Sequence, residues 1–253
     1  MTAFRLMLKK EWMENLRSHK VVALFIICAV CGILGPLTAL LMPDLLAGIL
    51  PKKAQGAIPD PNYLDSYVQY FKNINQLGLI LFLFLFSGTL TQEFARGTLI
   101  NLVTKGLSKK TVILAKFTII ASLWTGSYVL GSLIHYAYTL YYFNNDGDHK
   151  FLAYGASWLF GLLLLSLLLL FSVLFRKTSG SLMACLASIV LFIISSFFKD
   201  TKDWNPMLLI QKQGALLSGN FKIEDWLQPS LITLTILVFS LIFAIIIFEK
   251  SKL

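Results

Sequence analysis

Charge is what this 253-residue sequence has least of: 14 % of its residues are Asp, Glu, Lys or Arg, and only 13 residues are acids. A soluble domain carries about 25 % charged residues. With 57 % hydrophobic residues and a mean hydropathy of +0.72, the chain has too little polar surface to cover itself in water. That excludes a soluble enzyme, and the apolar content excludes a disordered tail. Cysteine is scarce too. Cys28, Cys31 and Cys185 all lie in apolar runs, which excludes a disulfide scaffold. Cys28 and Cys31 are spaced as C-x-x-C, but no polar loop, His or second pair accompanies them, so they read as small packing residues.

Chemical motifs are equally sparse. No G-x-x-x-x-G-K-[ST] loop occurs, so the chain does not cradle a nucleotide phosphate itself. There is no H-E-x-x-H, no G-x-S-x-G and no pair of aspartates within the apolar runs. His19, His135 and His149 fall on different segments and suggest no metal site. The centres of the apolar runs hold no Asp, Glu, Lys or Arg; Glu93 and Lys116 sit near their ends, and His135 lies late in the third run. Ion and proton carriers need charge within the membrane. The sequence thus offers no catalytic, cofactor-binding or metal-binding constellation.

What it does offer is length of apolar run. A membrane helix needs about 20 mostly apolar residues, and six segments qualify: 21–42, 76–91, 111–143, 151–175, 180–198 and 229–248. The basic stretch before the first is too long, as is the run itself, for a cleaved leader, so an uncleaved helix is expected. Six spans put both termini on one side. That side carries 14 of the 22 basic residues but only four of the 13 acids, and basic residues mark the cytoplasmic side. The net charge of +9 therefore goes to orientation and anionic headgroups, with no nucleic-acid partner expected. Tyr136, Tyr138, Tyr141 and Tyr142, with Trp204 and Trp226, fit an aromatic belt at the outer interface.

Two cytoplasmic features stand out. In residues 3–20, Phe4, Leu8, Trp12 and Leu16 share one helical face, while Arg5, Lys9, Lys10, Glu14 and Arg17 occupy others. That pattern predicts a helix lying in the inner interface, with a polar elbow at Ser18-His19-Lys20. Between the second and third spans, Gly97 allows a sharp turn and Thr98 is an expected N-cap. Residues 99–104 then form a short helix, Gly106 ends it, and Ser108 caps the next span. Such a segment is either a tight turn or a knob presented to a cytoplasmic partner. In the fifth span Ser181, Ser188 and Ser195 recur every seven residues with Cys185 among them, a stripe suited to close packing or to a mildly polar path. The outer stretch 199–228 is apolar enough to fold back as short helices.

Glu93-x-x-x-Gly97-Thr98, a Leu-rich stretch, and then Gly106-Leu-Ser108-Lys109-Lys110 leading to Leu114-Ala115-Lys116 resemble the ABC-2 type permeases. Lys10-Glu11 followed by Leu16-Arg17-Ser18-His19-Lys20 is similar to that family's entry helix. Gly106 stands where the family often has Pro, and Ala115 where it often has Gly. The resemblance implies a multi-pass permease of a bacterial cytoplasmic membrane. It would pair with a second permease subunit, as a homo- or heterodimer, and dock a separate ABC ATPase subunit that binds the ATP and Mg. Residues 93–106 would be the coupling element, with Glu93, Arg96, Gly97, Thr98, Leu99, Leu102, Val103 and Lys105 at the interface, and spans two and five would border the path. Small permeases of this family that export amphipathic peptides, such as the phenol-soluble modulin exporters of staphylococci, look similar in size and layout. An amphipathic or hydrophobic substrate is expected, a peptide above all; lipid, polysaccharide or drug export is the alternative. A non-transporting membrane anchor or regulatory subunit is the competing class. The expected fold is an all-α membrane protein forming one transmembrane domain over 1–253. It has six transmembrane helices, the interfacial helix 3–20, a short coupling helix between spans 2 and 3, and re-entrant outer helices before span 6.

Overall fold

In the computed structural model, which describes residues 3–49, 60–104, 106–144, 147–198, 201 and 203–251, the apolar runs form six helices long enough to cross a bilayer. Among the described residues every regular element is helical. The chain is an integral membrane protein of six spans. Helix α1 (Ala3–Arg17) leads into the first span, α2 (Lys20–Ile49). The second span is composite: α3 (Tyr63–Asn73), a π-helical turn (Ile74–Gly78), α4 (Leu79–Phe86) and α5 (Gly88–Ala95). The short α6 (Thr98–Thr104) precedes the third span, α7 (Lys109–Tyr142). The fourth and fifth spans are α8 (Lys150–Phe175) and α9 (Thr178–Ser195). Two short helices, α10 (Leu208–Gln211) and α11 (Gln213–Leu217), fold back before the sixth span, α12 (Glu224–Lys250).

The third, fourth and fifth spans keep close to the bounds read from hydropathy. The other three are longer, for identifiable reasons. The first runs on through Pro43 and Asp44. The second begins at Tyr63 rather than at residue 76, because Asn62 and Asp65 form a capping box: Asn62 Oδ1 accepts from the Leu64 and Asp65 N–H groups, and Asp65 Oδ2 accepts from the Asn62 N–H. This half of the span is amphipathic, turning Ser66, Tyr67, Tyr70 and Phe71 inward and Asp65 and Lys72 outward. The sixth starts at Glu224, five residues before the predicted 229, and continues through Pro229.

Packing ranks the spans. The fourth is central: Gly161 to Leu169 are all buried, which explains its unbroken Leu content, since a helix apolar all round must be covered all round. The fifth is peripheral and shows Met183, Val190, Leu191 and Ile194 outward, as a lipid-facing helix would. The first and third spans cross at glycines. A Cβ on Gly131 would stand 2.5 Å from the Cys28 carbonyl oxygen, so only glycine permits that approach.

The far half of the bundle has a polar heart that hydropathy hid. His135 is fully buried. Its Nδ1 lies 2.6 Å from the Tyr154 hydroxyl, its Nε2 faces Ser66 and Thr139 Oγ1, and its ring stacks on Tyr70. A residue expected near the outer belt thus ties spans two, three and four together. Trp226 also departs from the belt, being buried against Phe221, whereas Trp204, Tyr141 and Tyr142 are exposed.

Candidate functional site

The site begins with α1. Its spacing of four places Met7, Glu11 and Asn15 on one buried face, while Phe4, Trp12 and Leu16 remain exposed. The apolar stripe therefore points away from the bundle, where lipid would cover it, and the inward face is partly polar. The elbow is sharp: His19 adopts φ +58°, between the end of α1 and the start of α2 at Lys20. Left-handed backbone costs a non-glycine residue about 1–2 kcal/mol, so the turn is held by what it joins.

What it joins is a buried charge lattice. Lys116, eight residues into the third span's numbering from Ser108, is fully buried. Its Nζ donates to Glu11 Oε1 at 2.9 Å and to the Thr89 carbonyl at 3.0 Å, and pairs with Glu93 Oε2 at 3.0 Å. Lys10 pairs with Glu11, Glu14 and Glu93. Three elements are thereby fixed to one another: α1, the end of the second span and the start of the third. Burial alone would lower the Lys10 pKa, but Glu11 and Glu93 beside it outweigh that and hold it above its ordinary 10.5. For Glu14 burial pulls upward, and the hydrogen bond and charge of Lys10 win, keeping it below 4.5. Carboxylate oxygens of Glu11, Glu14 and Glu93 converge within 4.8 Å, but the two ammonium groups already stand among them, so the cluster's charge is met from within.

Directly after Arg96 the chain turns outward. Gly97 takes φ +65° and Gly106 φ +87°, a backbone region glycine enters without cost, and α6 lies between them. The interface residues read from the sequence divide here. Glu93 is mostly buried, held by Lys10 and Lys116, and it also lines the notch beside α6. Leu99 is also buried, packed with Met7, Leu90 and Val112. Arg96 and Thr98 are exposed, Gly97 is half-buried, and Ile100, which the sequence reading passed over, is an exposed apolar group. Thr98 is not the N-cap; it is the first helical residue, and its hydroxyl donates to the Glu93 carbonyl at 3.4 Å. The side chains of Leu102 and Val103, and Lys105 altogether, lie outside the described residues. Ser108 does cap the third span, accepting from the Thr111 N–H. Beside α6 is a notch of about 200 Å³ whose lining includes Glu93, Phe94, Gly97, Leu99, Ile100 and Arg176, the last from the turn between spans four and five and set over the Phe94 ring.

Toward the far side, the π-helical turn of the second span swings Asn75 inward. Asn75 Nδ2 donates to Gln213 Oε1 (2.9 Å), Ser157 Oγ donates to Asn75 Oδ1 (2.7 Å), and Gln213 Nε2 donates to Ser157 Oγ and the Ala153 carbonyl. The fold-back helix α11 is thus bolted to spans two and four. A cavity of about 710 Å³ opens beside this network, between spans two and five. The fifth span lines it with Leu186, Ile189, Val190 and Ile193. The Ser181, Cys185, Ser188 and Ser195 stripe does not reach it: Ser181 and Cys185 are buried, and the three hydroxyls donate to carbonyls of their own helix or its lead-in turn.

One relative gives context. The chain is 27 % identical over 220 residues, 84 % of each protein, to a protein of Bacillus subtilis (strain 168) described as "Uncharacterized transmembrane protein YxlG". No family model matches the chain. The likeness to a transmembrane protein along most of its length agrees with a membrane-embedded chain. The paired partners of Glu93 were invisible to sequence reading, since Glu11 and Lys116 lie 82 residues before it and 23 after it; the signal available was the spacing of Met7, Glu11 and Asn15, which puts an acid on the buried face.

Proposed function

We propose that this protein is the membrane subunit of an ATP-driven exporter of the ABC-2 type, with both termini in the cytoplasm. The charge lattice under α6 carries the reading. A chain without a nucleotide site that moves a substrate by ATP must receive force at one place and pass it to its spans. A short helix set off by two left-handed glycines, and rooted through Glu93, Lys116, Glu11 and Lys10 in two spans and the entry helix, suits that task. The exposed Arg96, Thr98 and Ile100, with the Arg176 notch, form the surface offered to a separate ATPase, which would bind the ATP and Mg. A second permease subunit would complete the path, and the cavity between spans two and five would take an amphipathic or hydrophobic passenger, a peptide foremost.

The test is purification from native membranes followed by reconstitution with the ATPase that co-purifies. Wild-type protein raises ATP turnover in vesicles. Ile100→Glu, at the exposed surface, abolishes co-purification, and Gly97→Val retains binding with reduced stimulation. If no ATPase accompanies the protein, or if both variants stimulate at the wild-type level, the reading fails and a membrane anchor is left.

A further inference from the structure

The cavity between spans two and five has a chemical polarity of its own. Its walls are apolar, with Val68, Leu79 and Ile80 from the second span facing Ile189 and Ile193 from the fifth. Its polar lining is of two kinds. Asn75 and Gln213 are spent on each other and on Ser157. Lys72, Gln76 and Gln211 also line the cavity, are exposed, and their side chains make no hydrogen bond or ion pair among the described residues. Lys72 and Gln76 lie one helical turn apart on the far-side end of the second span, and Gln211 hangs over them from α10. Lys72 to Ile80 is eight residues, roughly 12 Å of helix. Among the described residues no Asp or Glu lines the space. Its volume is within the usual range for small-molecule sites, about 300–1,000 Å³.

We propose that this cavity binds an anionic amphiphile. Its phosphate, sulfate or carboxylate head sits against the Lys72 ammonium and the Gln76 and Gln211 amides, and its hydrocarbon runs along Leu79, Ile80, Ile189 and Ile193. An ammonium flanked by two free amides supplies donors to an oxyanion, and a lining without a carboxylate among the described residues offers a cationic head no partner. The apolar walls take the chain out of contact with polar groups. The site's role in export rests on the function proposed above; its ligand chemistry does not.

The protein, in nanodiscs of phosphatidylcholine, is exposed to three probes bearing the same photoreactive group on the chain: dodecyl phosphate, dodecylphosphocholine and a diacyl phosphatidylglycerol. Cross-links are mapped by mass spectrometry. An anionic probe is expected to label residues 68–80 and 186–193 saturably and at least tenfold better than dodecylphosphocholine. Lys72→Gln lowers that labelling about tenfold, Lys72→Arg keeps it, and Ile189→Trp, which fills the groove, removes it. Stronger labelling by dodecyl phosphate marks a free amphiphile as the occupant, and stronger labelling by phosphatidylglycerol marks a lipid headgroup. Equal labelling by phosphate and phosphocholine probes, indifference to Lys72→Gln, or cross-links elsewhere overturns the proposal. No ATPase is present in this assay, so its failure and that of the exporter reading are separate results.

Discussion

Replacing Lys116 with methionine keeps the length and removes the charge. Lys116 is fully buried and touches Glu11, Glu93 and the Thr89 carbonyl. Glu11 is itself fully buried, and its Oε2 accepts no hydrogen bond among the described residues. With Lys116 gone, two carboxylates depend on Lys10, which is partly exposed and also serves Glu14. Breaking a buried pair by removing one partner costs about 3–5 kcal/mol, because the remaining charge is left uncompensated. For a chain of this size that is roughly 6–20 °C in unfolding temperature. Thermal unfolding of the detergent-solubilised protein, followed by tryptophan fluorescence, reads the loss. The decisive comparison is a double-mutant cycle with Glu11→Gln. If the two groups act as a pair, the double variant is more stable than the summed single losses by about 1–3 kcal/mol. Losses that add to within about 0.5 kcal/mol, or a single-variant loss below about 1 kcal/mol, would refute the lattice as a fastening.

Gly131→Val pushes side-chain carbons into the Cys28 backbone and should lower stability by about 1–3 kcal/mol through overpacking, whereas Gly155→Ala, with open space around it, should change the melt little. His19→Gly removes the cost of a left-handed non-glycine residue and should cost nothing or stabilise by up to about 1 kcal/mol, read in the same melt. The depressed Glu14 pKa fixes the sign of a pH effect. Its contribution is fully present above pH 4.5 and is lost as pH falls through its lower folded value. The stability gap between wild type and Glu14→Gln should therefore be level above pH 4.5 and close below it.

The six-helix plan was legible because uninterrupted apolar length is a strong signal. The ends were less so. Residues 63–73 carry Asp65, Gln69, Lys72 and Asn73, enough polarity to pass for loop by hydropathy, although the Asn62 and Asp65 capping spacing marks a helix start. Glu224 and Asp225 misled in the same way at the sixth span, where acids in a first turn favour the helix end they occupy. At the candidate site, the Gly97 turn and the Ser108 cap were readable from the sequence, whereas the ion pairs of Glu93 were not. One sequence says which residues are charged; it does not say that Glu11 and Lys116 meet Glu93 across 105 residues of separation. The same applies to His135 and to Asn75 with Gln213, whose partners come from other spans.

The bolt between Asn75 and Gln213 has a consequence for the fold-back helix. Lifting α11 away from the bundle breaks the hydrogen bonds of Asn75 and Gln213, at about 1–3 kcal/mol for each group left buried without a partner. The fold-back is therefore fastened to the bundle, and a shift of the second span that carries Asn75 off its mate would loosen it. One continuous stretch of chain, from the capping box at Asn62 to Ala95, thus carries both the fold-back's fastening at Asn75 and the charge lattice at Glu93.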